Sequence, residues 1–172
     1  MAFALGAVAA GTVGGAVGGA VGSLAPAGAW RTIAALVVLV GAVSLDATSL
    51  GRRLPSSRRQ VNEDWLARYR GWVYGLAFGA QLGAGLATIV TSAAIYAAAA
   101  GAVLCGTVAG GAAVGAAFGL TRALSLLPAR TARDGAGLIR LHTALGRLDV
   151  AARRLVVAGE IVGAMVLIGG LA

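Results

Sequence analysis

The stretch that decides the fold is residues 71–121, GWVYGLAFGAQLGAGLATIVTSAAIYAAAAGAVLCGTVAGGAAVGAAFGLT, which contains no Asp, Glu, Lys or Arg. Arg70 precedes it and Arg122 follows it. As one helix, at about 1.5 Å per residue, it would be more than twice as long as the ~30 Å hydrocarbon core of a bilayer. We therefore predict a membrane hairpin that crosses, turns and crosses back, so that both Arg residues lie at the same membrane face.

The composition of the whole chain also favours lipid over water as solvent. Of its 172 residues, 59% are hydrophobic and 12% are charged, whereas soluble domains carry about 25% charged residues. All fourteen basic residues are Arg, and they gather beside apolar segments, as the positive-inside rule describes. We therefore attribute the net charge of +8 to cytoplasmic loops, and we expect the lipid bilayer, and not nucleic acid, as the partner of this chain.

Hydropathy along the chain predicts an all-α, polytopic helical bundle that forms a single domain over residues 1–172. We place five transmembrane helices at about 3–24, 32–50, 71–96, 98–120 and 155–172, with a tight turn near Tyr96–Gly101. No basic residue precedes the first segment, so we interpret it as a retained helix and not as a removed signal peptide.

Two Arg-rich segments set the expected topology. Residues 51–70 and 121–154 hold most of the Arg residues and should form cytoplasmic loops. Five crossings then place the N-terminus inside and the C-terminus outside a bacterial inner membrane. In the second loop, Leu residues recur at spacings of three and four, which predicts an amphipathic surface helix over about 135–150.

Glycines recur every four residues in several of the predicted helices. Helices in lipid gain little from burying apolar surface, and small residues at this spacing let two backbones come into close contact. Such faces either pack the helices of one chain or form a seam with a second copy or another membrane protein. The candidate packing residues are Gly11, Gly15, Gly19, Gly71, Gly75, Gly79, Gly111 and Gly115.

Polar side chains inside the uncharged stretch suggest a substrate pathway. Gln81, Thr88 and Ser92 are spaced by seven and four residues, so one helix face could hold all three. Neighbouring glycines would tolerate an unwound turn, and transporter sites are often built at such interruptions. Alternatively, the hydroxyl groups bond to carbonyls of their own helix. The candidate pathway residues are Gln81, Gly83, Gly85, Thr88, Thr91 and Ser92.

Two carboxylates fall inside predicted spans. Asp46 and Glu160 each lie about six residues from an Arg-rich loop. A carboxylate inside a membrane is costly and often carries protons or ions, so both are candidates for proton or ion coupling. The alternative is an interfacial acid paired with loop Arg residues.

Few residues of this chain could support catalysis or metal binding. Cys105 is the only Cys, and we interpret it as a small buried residue of the fourth helix. One His and one Cys cannot form a metal or nucleophile cluster. We therefore expect no metal site, no cofactor and no catalytic residue, which disfavours an enzyme.

Residues 72–85, WVYGLAFGAQLGAG, resemble the fourth helix of the CcdA/DsbD transmembrane family, which has a Gly/Phe-rich beginning followed by a Pro-Cys pair and further glycines. The second helix with its RRLP exit at 52–55 and the last helix with VGAMVLIGG at 162–170 resemble the Gly-flanked third and sixth helices. That family consists of two related three-helix halves joined by a basic loop. Five helices match this plan if the first helix is missing.

The resemblance implies a scaffold without the family's redox chemistry. Members that carry electrons use one Cys on the first helix and one on the fourth. Here the first helix is missing, no Cys lies near Gln81–Gly83, and Cys105 matches neither position. Relatives of the same scaffold include small-solute exporters.

Together these observations predict a transporter-like or carrier-like protein that moves a small solute or ion through a Gly-rich bundle. The alternative is a non-catalytic membrane subunit or accessory protein that packs against a partner, or against itself, through its glycine faces. A membrane enzyme ranks third, because no His or Cys cluster is present.

Overall fold

A computed structural model describes residues 1–48, 70–85, 92–131 and 134–169. These residues form helices and no strand. The α-helices are α1 (Ala2–Ser23), α2 (Ala29–Ala47), α3 (Gly71–Gly83), α4 (Ala94–Leu104), α5 (Val108–Ser125) and α6 (Gly135–Gly169), with a short 3-10 helix at Leu127–Thr131.

Three helical segments are long and apolar enough to cross a membrane: Ala2–Ser23, Ala29–Ala47 and Val108–Ala129. In the described part of the chain, the only buried hydrophobic side chains are alanines, whereas large residues such as Leu5, Val13 and Val17 are more than half exposed. A protein in water buries its large apolar residues. The observed arrangement, with small residues inside and large apolar ones outside, is the one that lipid favours.

Helix α1 is the centre of the bundle and packs along α5 in antiparallel direction. Gly11 lies opposite Gly115, Gly15 opposite Gly111, and Gly19 opposite the Thr107 carbonyl. A Cβ atom added to Gly15 would lie 2.9 Å from the Cα and N of Gly115, a distance that real Cβ atoms essentially never show. The two backbones are therefore in direct contact, and only glycine fits between them.

Helix α3 packs on the same central helix but runs parallel to it. Gly79 lies against Phe3, and Gly83 lies against Ala7 one turn further along both helices. The ring centroids of Phe3 and Phe78 are 5.5 Å apart, which adds an aromatic contact at the start of α1. Helix α1 thus has two close contact surfaces, one for α3 and one for α5.

Helix α4 joins this group to the rest of the protein. It contacts α1 and α5 on one side and α2 on the other, and α2 in turn packs against α6. Gly18 of α1 faces Ala102 of α4 at 3.5 Å, and Asp46 near the end of α2 bonds to Ala93 at the start of α4. Helices α2 and α4 are therefore antiparallel.

The hairpin differs from its predicted layout. The third helix was expected over about 71–96, with an unwound turn tolerated near Gly83 and Gly85, whereas α3 ends at Gly83 and α4 begins at Ala94. The turn predicted near Tyr96–Gly101 is wrong, because these residues lie within α4. Alanine, which fills this segment, is the strongest helix former. The chain turns instead at Gly106, whose φ of +60° is accessible to glycine, and Thr107 caps α5 by accepting a hydrogen bond from the Gly110 N–H at 3.1 Å.

Two further expectations are corrected at this turn and at the C-terminal end of the chain. Cys105 is exposed at the end of α4 and is not a buried residue of the following helix. The amphipathic segment 135–150 and the last apolar segment form one continuous helix, α6, of 35 residues. No Pro or turn-forming residue interrupts this helix between them.

Candidate functional site

The first element of the candidate site is a bond between α2 and the start of α4. The Asp46 carboxylate accepts hydrogen bonds from the Ala93 N–H at 2.8 Å and from the Ser92 hydroxyl at 2.5 Å. The Ser92 oxygen in turn accepts a hydrogen bond from the Ala94 N–H at 3.1 Å. Since the first N–H groups of a helix have no partner within it, Asp46 acts as an N-cap supplied by another helix.

The Asp46 carboxylate is buried but fully paired. Only 5% of its surface is exposed, and both oxygens accept hydrogen bonds. Hydrogen bonds to a carboxylate are about twice as strong as those between neutral groups. The burial of Asp46 is therefore compensated by the partners that the start of α4 supplies.

The second element is Glu160 on α6, which has no such partners. Its side chain is 7% exposed, and neither of its carboxylate oxygens has a hydrogen-bond partner. A buried, unpaired carboxylate is costly unless it binds a proton or a cation.

A groove of about 390 Å³ lies beside Glu160, between α2, α4, α5 and α6. Apart from the carboxylate, its walls carry mostly small or aliphatic side chains, among them Leu39, Ala97, Leu155 and Val156. An adjoining cavity of about 280 Å³ shares Leu39 and Ala97 with the groove and extends to Arg31. The carboxylate thus lies at one end of an apolar cleft.

Arg31 closes the other end of this cleft. Its guanidinium donates hydrogen bonds to the Gly22 carbonyl at 2.8 Å and to the Ala25 carbonyl, which are at the C-terminal end of α1. The same group lies against Gly106, where any side chain would displace it. Arg31 therefore ties the α1–α2 turn to the α4–α5 turn.

A larger cavity of about 500 Å³ lies beside the point where α3 ends. It is lined by Gly83, Ala84 and Gly85 after α3, by Tyr96 and its neighbours in α4, and by glycines of α1 and α5. Gly85 has a φ of +71°, a conformation that glycine adopts without strain. The chain thus leaves the helical conformation directly at the wall of the cavity.

The predicted pathway residues are only partly brought together. Gly83 and Gly85 line the large cavity, and Ser92 bonds to Asp46. Gln81 is half-buried in α3 and does not share a helix face with Ser92, because α3 ends between them. Thr88 and Thr91 lie outside the described residues.

The two predicted coupling carboxylates come from different helices and meet in the same region. Asp46 lies near the end of α2, and Glu160 lies in the C-terminal half of α6, 114 positions later in the chain. Asp46 accepts a hydrogen bond from the Ala93 N–H, and Glu160 lines a groove together with the next residue, Ala94. No group of three or more His, Cys, Asp or Glu side chains that could hold a metal ion occurs among the described residues.

Most of the predicted packing glycines lie in tight helix contacts. Gly11, Gly15 and Gly19 of α1 face Gly111 and Gly115 of α5. On α3, Gly79 is in backbone contact with α1, Gly75 approaches Ala2 at an ordinary 3.6 Å, and Gly71 has open space around it. The contact surface on α3 therefore begins one turn after the helix does.

Two features of the site were not predicted from the sequence. The first is the role of Arg31, although an Arg three residues after the Pro26–Gly28 turn could have indicated a group that binds the end of the preceding helix. The second is the partner of Asp46, because no local pattern reveals a hydrogen bond between residues 46 and 92.

Comparison of the chain with protein families, with curated proteins and with solved structures finds no match.

Proposed function

We propose that this protein is a membrane-embedded carrier for a small solute, with its pathway at the interruption between α3 and α4. The observation that carries the proposal is the end of α3 at Gly83, beside a cavity of about 500 Å³, with the start of α4 held by the Asp46 carboxylate. Interrupted helices beside a cavity are the usual construction of transporter sites, because their free backbone groups can bind a solute.

The directions of the helices support a five-crossing arrangement. Helices α3 and α4 have 13 and 11 residues, so each is shorter than the ~20 residues that a crossing requires. Both run parallel to α1, and together they make one interrupted crossing. The remaining crossings are α1, α2, α5 and the C-terminal half of α6.

The orientation follows from the charges. Arg140 and Arg147 lie in the first half of α6, and Arg153 and Arg154 follow directly after its midpoint, next to the end that this arrangement places with the N-terminus of α1. The positive-inside rule puts that end in the cytoplasm, so the Gly106 turn lies outside. The proposed location is the cytoplasmic membrane of a bacterium, and the likeness to the CcdA/DsbD scaffold stays a prediction.

Glu160 is the proposed coupling group. Its carboxylate must exchange a proton or a cation to remain buried without a hydrogen-bond partner. Asp46 holds the start of α4 in position, and α4 forms one wall of the groove that Glu160 lines. Neutralisation of Glu160 and movement of α4 would therefore be linked through this groove.

The test is proton movement in proteoliposomes loaded with the pH-sensitive dye pyranine. A panel of amines, amino acids, sugars and organic acids is added outside, one at a time. A carrier coupled through Glu160 changes the internal pH with at least one class of solute, and Glu160→Gln abolishes that change. Asp149→Asn is the matched control, because it removes one carboxylate from the same helix at a side chain that is 64% exposed.

Two results would contradict the proposal. The first is a panel in which no solute moves protons faster than in protein-free vesicles. The second is a response that Glu160→Gln and Asp149→Asn reduce equally, since the effect would then belong to surface charge.

The alternative, a subunit that binds its partner through glycine faces, is less well supported. The glycines of α1 and α5 that would form such a face are in contact with each other within this chain. A partner would have to use the exposed apolar side chains, which lipid also covers.

A further inference from the structure

We infer that the groove beside Glu160 binds a lipophilic organic cation, such as an ammonium ion with apolar substituents. This inference rests on the proposed carrier function and adds a substrate class to it. The starting observation is Glu160 itself. Its side chain is only 7% exposed, and neither carboxylate oxygen has a hydrogen-bond partner. Glu160 lines the groove of about 390 Å³, and its carboxylate is an unsatisfied polar group at the wall of this groove.

The walls of the groove decide what kind of cation fits. A bare metal ion requires several oxygen ligands, six or more in the case of Ca²⁺. The Asp46 oxygens are occupied by the Ser92 hydroxyl and the Ala93 N–H, so Glu160 is the one carboxylate with free oxygens in this region of the described structure. Aliphatic side chains surround it. A cation that carries its own apolar groups can pair with the Glu160 carboxylate and at the same time pack its apolar groups against the aliphatic walls.

The groove also sets where along its length the positive charge would lie. The adjoining cavity ends at the Arg31 guanidinium, which is bonded to the carbonyls of Gly22 and Ala25. Its positive charge repels a cation from that end. The ammonium group is therefore restricted to the Glu160 end, while the apolar substituents extend along Leu39 and Ala97.

The groove opens at the surface of the described helices, which would let a ligand reach it through the bilayer. A lipid acyl chain would also suit the apolar walls, but it carries no positive charge for Glu160. Charge complementarity therefore favours the organic cation over lipid.

The experiment measures binding of benzyltrimethylammonium to the purified protein in a non-ionic detergent by isothermal titration calorimetry. Its neutral isostere, neopentylbenzene, tests whether apolar contact alone is sufficient. We expect saturable binding of the cation and at least tenfold weaker binding after Glu160→Gln, with Asp149→Asn unchanged. A second variant, Gly101→Leu, fills the groove from α4 at a position with no atom within 4 Å of an added Cβ, and it should also weaken binding at least tenfold.

Each outcome decides the matter. Selective binding of the cation that both Glu160→Gln and Gly101→Leu weaken at least tenfold supports the inference, even if the panel above shows no flux, in which case only the carrier proposal fails. Equal binding of the cation and the neutral isostere, or binding that either variant weakens less than tenfold, overturns it. Proton-coupled transport of a solute by a protein that does not bind the cation would also overturn the inference. This result would leave the carrier proposal intact.

Discussion

Gly15 and Gly14 are adjacent residues of α1 that should respond in opposite ways to the same small change. In Gly15→Ala the new Cβ lies 2.9 Å from the Cα and N of Gly115 and closer still to the Gly111 carbonyl oxygen, so the two helices must move apart. In Gly14→Ala the new Cβ has no atom within 4 Å. The pair therefore separates the close α1–α5 contact from the intrinsic effect of adding a methyl group.

The size of the effect follows from the distances. Carbon atoms pack best at about 3.5–4.0 Å, so α1 and α5 must separate by at least about half an ångström, which forfeits roughly a quarter of the dispersion energy of the affected contacts. Overpacked contacts of this kind cost about 1–3 kcal/mol. Ala is favoured over Gly in a helix by up to about 1 kcal/mol. Because this gain is common to both variants, Gly15→Ala should be about 1–3 kcal/mol less stable than Gly14→Ala.

The assay is unfolding of the purified protein in mixed micelles by increasing sodium dodecyl sulfate, followed by tryptophan fluorescence and far-UV circular dichroism. Gly14→Ala should unfold at the same detergent fraction as the wild type or at a higher one, and Gly15→Ala at a clearly lower one. Equal stability of the two variants would refute the direct backbone contact between α1 and α5.

Three further predictions concern the turns and the Asp46 cap. Asp46→Ala leaves the start of α4 without its cap, so it should lower the free energy of unfolding by about 1–2 kcal/mol in the same assay. Ser44→Ala is the control. It removes an exposed hydroxyl that bonds only within its own helix, so its effect should be less than half as large. Gly106→Ala puts a side chain at a φ of +60° and displaces Arg31 from the end of α1, so it should destabilise by about 1–3 kcal/mol; wild-type stability would disprove this contact. Cys105 is exposed at the proposed outer turn, so a membrane-impermeant maleimide should label it in spheroplasts; labelling only after lysis would reverse the proposed orientation.

Sequence alone predicted the parts of the fold that depend on composition and short spacing. The uncharged stretch predicted helices that turn back, and the repeat of Gly11, Gly15 and Gly19 predicted a close helix contact. Both signals are local, because charge and small-residue spacing act within one helix. The partner of that glycine face, on α5, could not be chosen from several similar repeats.

The interruption of the hairpin was foreseen only as a tolerance. Gly83 and Gly85 indicated where the third helix, placed over about 71–96, could unwind, and a regular helix whose hydroxyl groups bond to its own carbonyls was the alternative. The sequence pattern does not reveal the tertiary interaction that compensates for the broken helix. This interaction is the hydrogen bond of the Asp46 carboxylate to the start of α4. That bond joins residues 47 positions apart, and hydropathy and spacing carry no information about it.

The central claim is that the end of α3 borders a pathway open to water, and cysteine accessibility tests it most directly. In a Cys105→Ser background, Ala84→Cys places a thiol at the cavity wall, and Val13→Cys places one on the exposed apolar face of α1 as the control. A carrier predicts that an impermeant maleimide modifies the Ala84→Cys thiol from either side of the membrane in right-side-out and inside-out vesicles, and modifies the Val13→Cys thiol from neither. Modification of the Ala84→Cys thiol no faster than that of the control, from both sides, would contradict the account.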